Sequence, residues 1–268
     1  MTEPAAEAFT ETRAGRQRLV LADCLTGMAS LEAGSIDVVV TSPPYNIGIR
    51  YGQHHDRLPR EAYLDWMDQV AAGIARVLAP EGSLFLNVGG TGVDPWIPMD
   101  VAGAFRRHLV LQNDIAWIKS ISLGDETRGH FKPVNSHRFL NNTHEKVFHF
   151  SKSGAVPLDR LAAGVPYMEK SNVTRWEGAG RDRRCAGNSW FVPYMTVRSK
   201  RQKFDHPAGF PLELPERCLK LHGGQDLMVM DPFLGAGTTL LAAERAGHRG
   251  IGFEIDPAYL QAALQRLD

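Results

Sequence analysis

"DLMVMDPFLGAGTTLLAAERAGHRGIGFEID", residues 226–256, contains a whole strand–turn–helix–strand unit. "DLMVMD" (226–231) is a short apolar run ending in an acid, and "GTTLLAAERAG" (237–247) has helical spacing and stops at glycine. "HRGIGFEID" (248–256) then returns as a strand. Gly235 and Gly237 fall between the first strand and the helix, where glycine permits positive φ and lets a ligand approach the backbone. The helix start behind them offers unpaired N–H groups. The third glycine of G-x-G-x-x-G is replaced by Leu240 and no Gly-Lys-Ser/Thr follows, which argues against a nucleoside triphosphate. Glu254 ends the second strand, where an acid can bind both ribose hydroxyls of a nucleoside cofactor; otherwise it is a solvated strand-end carboxylate.

The same alternation runs upstream. "RLVLAD" (18–23) and "SIDVVVTS" (35–42) read as strands. Tyr63, Trp66, Met67, Val70, Ile74, Val77 and Leu78 recur at helical spacing between Pro59 and the "PEG" at 80–82. "SLFLNVG" (83–89) is a strand, a helix covers 98–108, and "VLQNDIAWIK" (110–119) and "HEKVFHFSK" (144–152) are strand-like, with a long loop between them. "LPERCLKLH" (214–222) and "PAYLQAALQRL" (257–267) complete the helices, the second begun by proline. This order predicts an α/β fold with a doubly wound, mostly parallel sheet.

With 268 residues, 43% of them hydrophobic, the chain suffices for one sizeable α/β domain and a small appended lobe. Thirty basic and thirty acidic residues cancel, so a charged partner must be met by a local patch. Cys24, Cys185 and Cys218 form no C-x-x-C pair, which suggests a reducing compartment and structural thiols rather than a metal site. "HEKVFH" (144–149) misses the H-E-x-x-H spacing by one position, so a zinc protease is not expected. Residues 1–17 lack an apolar signal core and read as a disordered tail; no segment is long enough to span a bilayer, and a cytoplasmic location is expected.

Between 151 and 210 periodicity fades. Arg175, Arg181, Arg183, Arg184, Arg198, Lys200, Arg201 and Lys203 cluster there among Trp176, Trp190, Phe191 and Tyr194. Two readings stand: a solvated insertion, or a nucleic-acid-facing lobe with cations for phosphates and aromatics for bases.

"DVVVTSPPYNIG" (37–48) drives a buried strand into two prolines, which remove two donors and stiffen the chain. The corner so made carries a hydroxyl and an aromatic ring.

"TSPPYN", "HPAGFPLELPERCLKLH" (206–222), "DPFLGAGTT" and "GFEID", in that order, resemble an S-adenosylmethionine-dependent DNA amino-methyltransferase of the β group, over most of residues 18–267. The resemblance implies a Rossmann-like methyltransferase fold in permuted order. Residues 18–150 become its catalytic half, 151–205 a basic target-recognition insertion helped by loops 46–60 and 120–142, and 206–268 the cofactor-binding half. It implies that Phe233, Gly235, Gly237 and Thr238 line the methionine end of S-adenosyl-L-methionine, that Asp231 is a further cofactor-binding residue, and that Glu254 binds its ribose. His206, Pro207, Phe210 and Pro211 would pack along the cofactor. Asp23 matches the acid at the adenine edge, and is otherwise a helix cap. DNA is the implied partner, as a duplex with a flipped target base; a homodimer and a cognate restriction endonuclease are further partners of such enzymes.

An exocyclic amine is a poor nucleophile because its lone pair is delocalised into the ring. Acceptors that hold both amino hydrogens favour a pyramidal nitrogen, and by the resemblance they would be the Ser42 hydroxyl oxygen and the Pro43 carbonyl. Rigid Pro43 and Pro44 keep them fixed while Tyr45 faces the base. In the family, Ser at this corner goes mostly with the cytosine 4-amino group and Asp or Asn with the adenine 6-amino group, so Ser42 favours cytosine and leaves adenine as the alternative. Ring-carbon methylation needs a cysteine nucleophile, usually after proline, and no cysteine here follows one. His54 and His55 either close over the base or sit in a solvated loop. A catalytically silent nucleic-acid-binding module is the reading from another class.

Overall fold

The computed structural model describes residues 10–49, 54, 56–130, 133–175, 182–194 and 209–268. The chain opens with a hairpin, β1 (Thr10–Ala14) and β2 (Gln17–Leu21), then α1 (Cys24–Ala29) and β3 (Ile36–Thr41). Helix α2 (Arg60–Val77) leads into β4 (Leu78–Val88), and α3 (Ile97–Phe105) into β5 (Val110–Ile118). A small hairpin, β6 (Ser120–Leu123) and β7 (Glu126–Gly129), precedes β8 (His144–Ser151) and, further on, β9 (Ser189–Phe191). The last part alternates α4 (Glu213–His222), β10 (Met228–Asp231), α5 (Thr238–Arg245), β11 (Arg249–Glu254) and α6 (Pro257–Leu267).

One large sheet has the order β1-β2-β11-β10-β3-β4-β8-β5-β9. Strands β2, β11, β10, β3 and β4 are parallel, while β8 runs antiparallel to β4 and β5. Alternation along β3 and β4 divides the core. Val39, Leu84 and Leu86 face Tyr63, Met67 and Ile74 of α2, whereas Val38, Val40 and Phe85 join Leu214 and Cys218 of α4 and Ala242 of α5. Fully burying such a side chain contributes about 1.5–3 kcal/mol, so this central region contributes much of the fold's stability. From β3 the chain moves to β4 on one side, and from β10 to β11 on the other. The β3/β10 pair, registered Val38 with Val229 and Val39 with Met230, is therefore the topological switch point.

Four strands depart from the sequence expectation. Residues 10–14, expected in a disordered tail over 1–17, form β1 against β2; the expectation for 1–9 lies outside the described residues. This edge strand is mostly exposed and held by polar contacts such as Arg18–Glu11 at 2.8 Å, so it lacks an apolar alternation. The exposed β6–β7 hairpin lies within the expected loop for the same reason. In the basic insertion, β9 pairs in parallel with β5 and buries Trp190, which stitches that segment to the sheet. Among the described residues no helix is long and apolar enough to cross a membrane.

His149, buried in β8, accepts from Asn113 Nδ2 on Nδ1 (2.9 Å) and has Nε2 3.0 Å from Ser83 Oγ. An accepting Nδ1 requires neutral imidazole. Burial, aided by nearby His222, lowers its pKa from 6.5 to about 4. A depressed histidine contributes stability above the unfolded value that is lost as pH falls from 6.5 toward 4. Denaturant unfolding should show that loss, up to about 3 kcal/mol from this group. His149→Gln should flatten the slope in that window; equal slopes would assign the loss to other groups.

Candidate active site

At the switch point two strand ends are tied together. Thr41 Oγ1 donates to Asp231 Oδ1 at 2.7 Å, and the Phe233 N–H donates to the same oxygen at 3.1 Å. Asp231 is buried, and desolvation pushes its carboxyl up to about 6 against the pull of these donors. Thr239, in the first turn of α5, donates to Val40 O at 3.0 Å and fastens that helix to β3. Ser42, Pro43, Pro44 and Tyr45 thus emerge beside the loop 232–237.

Each side is braced from behind. Tyr63 of α2 donates to Pro44 O at 2.8 Å. After the corner, the buried Asp56 carboxylate accepts from the N–H groups of Asn46, Ile47, Gly48 and Ile49 at 2.8–3.2 Å. On the loop side Gly235 has φ +51°, as its place between strand and helix suggests. Its N–H donates to Glu254 Oε2 at 2.8 Å, while Oε1 accepts from Asp256 N at 3.0 Å. Burial raises the Glu254 carboxyl above its ordinary range, and these N–H groups oppose the rise. Asp23 caps α1, accepting from Leu25 N at 2.9 Å and Thr26 N at 3.3 Å.

Between corner and loop lies a cavity of about 330 Å³, at the lower end of the range for small-molecule sites. Ser42, Pro43, Pro44, Tyr45, Asp23, Asp231, Phe233, Gly235, Thr238 and Glu254 all line it. Trp66 joins its apolar wall, edge-on to Phe233 at 5.6 Å, and His54 stacks on Trp66 at 5.2 Å.

The polar wall behind Tyr45 draws on three strand ends. The Tyr45 hydroxyl is 2.8 Å from Ser42 Oγ, 3.2 Å from Asn87 Oδ1 and 3.1 Å from Glu145 Oε2. Asn87 Nδ2 donates to Glu145 Oε2 and to Lys146 O, both at 3.1 Å, and Lys119 Nζ meets Glu145 Oε1 at 2.8 Å. Burial and the Glu145 charge hold the Tyr45 hydroxyl well above its ordinary range. Gly89 makes room for this arrangement: a Cβ there would stand 2.9 Å from Tyr45 Cε2 and 3.0 Å from Glu145 Cδ.

Other expected residues fall elsewhere. Gly237 has φ +74° but packs against α6, where an added Cβ would come within 3.0 Å of Ala263, and it does not line the cavity. Its glycine serves the turn and the helix packing. Pro211 also lies off the cavity and starts α4 through its carbonyl, while Gly209 and Phe210 are the described members of that segment that line it. Arg175, Arg183 and Arg184 are exposed in the insertion away from the cavity lining, and Arg183 is tied to Gly164 O at 2.6 Å. His206, Pro207, Arg181, Arg198, Lys200, Arg201 and Lys203 lie outside the described residues. As site residues Asn87, Glu145, Lys119 and Asp56 were not expected, and Trp66 was expected only as part of the helical apolar pattern. A polar Asn87 ending the apolar run "SLFLNVG" was the one available signal.

The DNA methylase family matches residues 36–265. Type II methyltransferase M.HpaI of Haemophilus parainfluenzae is 29% identical over 255 residues, 94% of this chain and 74% of the relative. DNA adenine methyltransferase YhdJ of Escherichia coli (strain K12) is 24% identical over 261 residues, 96% of this chain and 85% of the relative. The cytosine-N4-specific PvuII DNA methyltransferase shares the fold with a TM-score of 0.69 at 23% identity, over 95% of this chain and 88% of that one. Solved structures similar to this fold include complexes with S-adenosyl-L-methionine.

Thr41→Val should leave the buried Asp231 carboxylate short of one donor, at a cost of about 1–3 kcal/mol in denaturant unfolding near neutral pH. Because the folded carboxyl sits at about 6 against an ordinary 3.8, stability falls as pH rises through that window, and the fall should be larger in the variant. An unchanged midpoint and slope would mean that Thr41 does not hold Asp231.

Proposed function

The chain belongs to the DNA methylase family, and on that premise we propose that it transfers the methyl group of S-adenosyl-L-methionine to the 4-amino group of cytosine in DNA. The observation that carries the proposal is the Ser42 hydroxyl on the wall of a cavity whose other side is the Phe233–Gly235 loop. The cavity's residues fit the cofactor: Glu254 offers a carboxylate to ribose hydroxyls, Phe233 an apolar surface, and the turn at Gly235 a close backbone approach. Asp23 borders the same cavity while capping α1, so its two sequence readings are compatible.

When bound, the cofactor supplies an electrophilic methyl group on a sulfonium sulfur. Ser42 Oγ and the Pro43 carbonyl accept the two amine hydrogens, which favours a pyramidal nitrogen with its lone pair free. Two prolines and the Tyr63–Pro44 bond hold these acceptors still, so little reorganisation accompanies charge development. A base inside a duplex cannot reach the cavity and has to be flipped out, at a cost of about a few kcal/mol. Stacking on Tyr45 offsets about 1–3 kcal/mol of that. Exposed Arg175 and Arg184 in the insertion are suited to backbone phosphates.

Within the family the choice of base rests on Ser42, the residue that goes mostly with cytosine. A second reading, transfer to the adenine 6-amino group, is favoured by the adenine specificity of the Escherichia coli relative.

Labelled cofactor and mixed-sequence DNA, hydrolysed to nucleosides, should yield label in 4-methylcytosine; label in 6-methyladenine alone would overturn the base assignment. Tyr45→Ala should lower methyl transfer by about tenfold to a hundredfold with cofactor affinity little changed. Gly235→Val should abolish cofactor binding measured by calorimetry, and binding at wild-type strength would remove the loop from the cofactor site.

A further inference from the structure

Hydrogen-bond direction is encoded in the polar wall behind the corner. Glu145, as a carboxylate, can only accept. Asn87 Nδ2 is committed to Glu145 Oε2 and Lys146 O, which turns Asn87 Oδ1 toward Tyr45 as a second acceptor. Among the described residues the Tyr45 hydroxyl therefore faces two acceptors and the Ser42 hydroxyl. Tyr45 owns a single proton, and both other partners demand it. The short contact to Ser42, at 2.8 Å, then forms only if Ser42 donates and Tyr45 accepts.

We infer that Glu145, anchored by Lys119, is a positioning residue that orders the chain Ser42→Tyr45→Glu145 and so leaves Ser42 Oγ an obligate acceptor toward the cavity. An acceptor there selects a target that presents N–H, an exocyclic amine, and repels a ring carbonyl at the same place. This turns a hydroxyl, which by itself donates or accepts with equal ease, into a one-way group. Burial keeps the Tyr45 proton in place by holding that hydroxyl well above its ordinary range. Lys119, 2.8 Å from Oε1 and also lying over the Trp117 and Tyr194 rings, is the counter-ion that lets a carboxylate reside in a largely buried wall. Three strand ends meet in this unit: Lys119 follows β5, Asn87 is next to last in β4 and Glu145 is second in β8.

The inference rests on Ser42 meeting the target amine, as proposed above, and applies to cytosine and adenine alike. It is tested by a double-mutant cycle with Glu145→Gln and Tyr45→Phe, the second keeping the ring and losing only the hydroxyl. Each single variant should lower kcat for methyl transfer to DNA by about tenfold to a hundredfold, with the calorimetric Kd for S-adenosyl-L-methionine and the KM for DNA near wild type. Because Glu145 acts through Tyr45, the double variant should be no slower than the slower single one. Wild-type kcat in either single variant, or a double loss equal to the product of the single ones, would overturn the ordered chain. If Glu145→Gln fails to bind cofactor, Tyr45→Phe decides: reduced kcat at unchanged Kd and KM supports the chain, and wild-type kcat refutes it. Wild-type protein that labels no amine in DNA would instead defeat the proposed function itself, which separates the two failures.

Discussion

A buried carboxylate bonded across two strands organises this molecule. Asp231 and Thr41 stand 190 residues apart in sequence, yet their side chains meet at 2.7 Å where β10 and β3 end. Without such a tie, parallel strands fix only the register of their backbones and leave the following loops free to diverge. Here the acid also receives the Phe233 N–H, so the turn leading to Gly235 starts from the same atom that holds the corner at Ser42. The carboxyl sits in an apolar environment with neutral donors, which accounts for its elevated pKa of about 6. That arrangement lowers the stability of the ionised form in exchange for a defined spacing between two loops.

Rigidity on the corner side comes from elements that do not line the cavity chemistry themselves. The Tyr63 hydroxyl fixes the Pro44 carbonyl, and the Asp56 carboxylate gathers four consecutive N–H groups after Tyr45. The aromatic trio of His54, Trp66 and Phe233 then closes one flank, and the Ser42–Tyr45–Glu145–Lys119 chain the other. One flank is suited to flat apolar surface, the other to polar hydrogens, which is the combination a nucleobase presents.

Wherever side chains are buried by period, the sequence was legible. The helices at 60–77 and 238–245 and the strands at 36–41 and 228–231 all carry apolar residues spaced for one or both faces of the sheet. Exposed β1, β6 and β7 carry no such pattern, because an edge strand satisfies its backbone through its neighbour and asks little of its side chains. β9 escaped because three residues are too few to show a period, although Trp190 within it is buried. Among site residues, those contributed by one contiguous turn were readable together. Gly237 looked the same as Gly235 in one dimension, yet Gly237 stands against an α6 alanine while Gly235 lines the cavity.

The sequence by itself determined the chemistry available at each strand end: a proline-stiffened hydroxyl and ring at 42–45, and a glycine turn answered by an acid at 254. Backbone stiffness, positive φ and apolar period are local properties, so they survive in the order of residues. Only the tertiary structure decided that these ends lie side by side at the switch point. It alone supplied Asn87, Glu145 and Lys119 from three separate strand ends to set the direction of a hydrogen-bond chain. Such a direction depends on distances of about 3 Å between side chains far apart in sequence, and no local spacing rule records it.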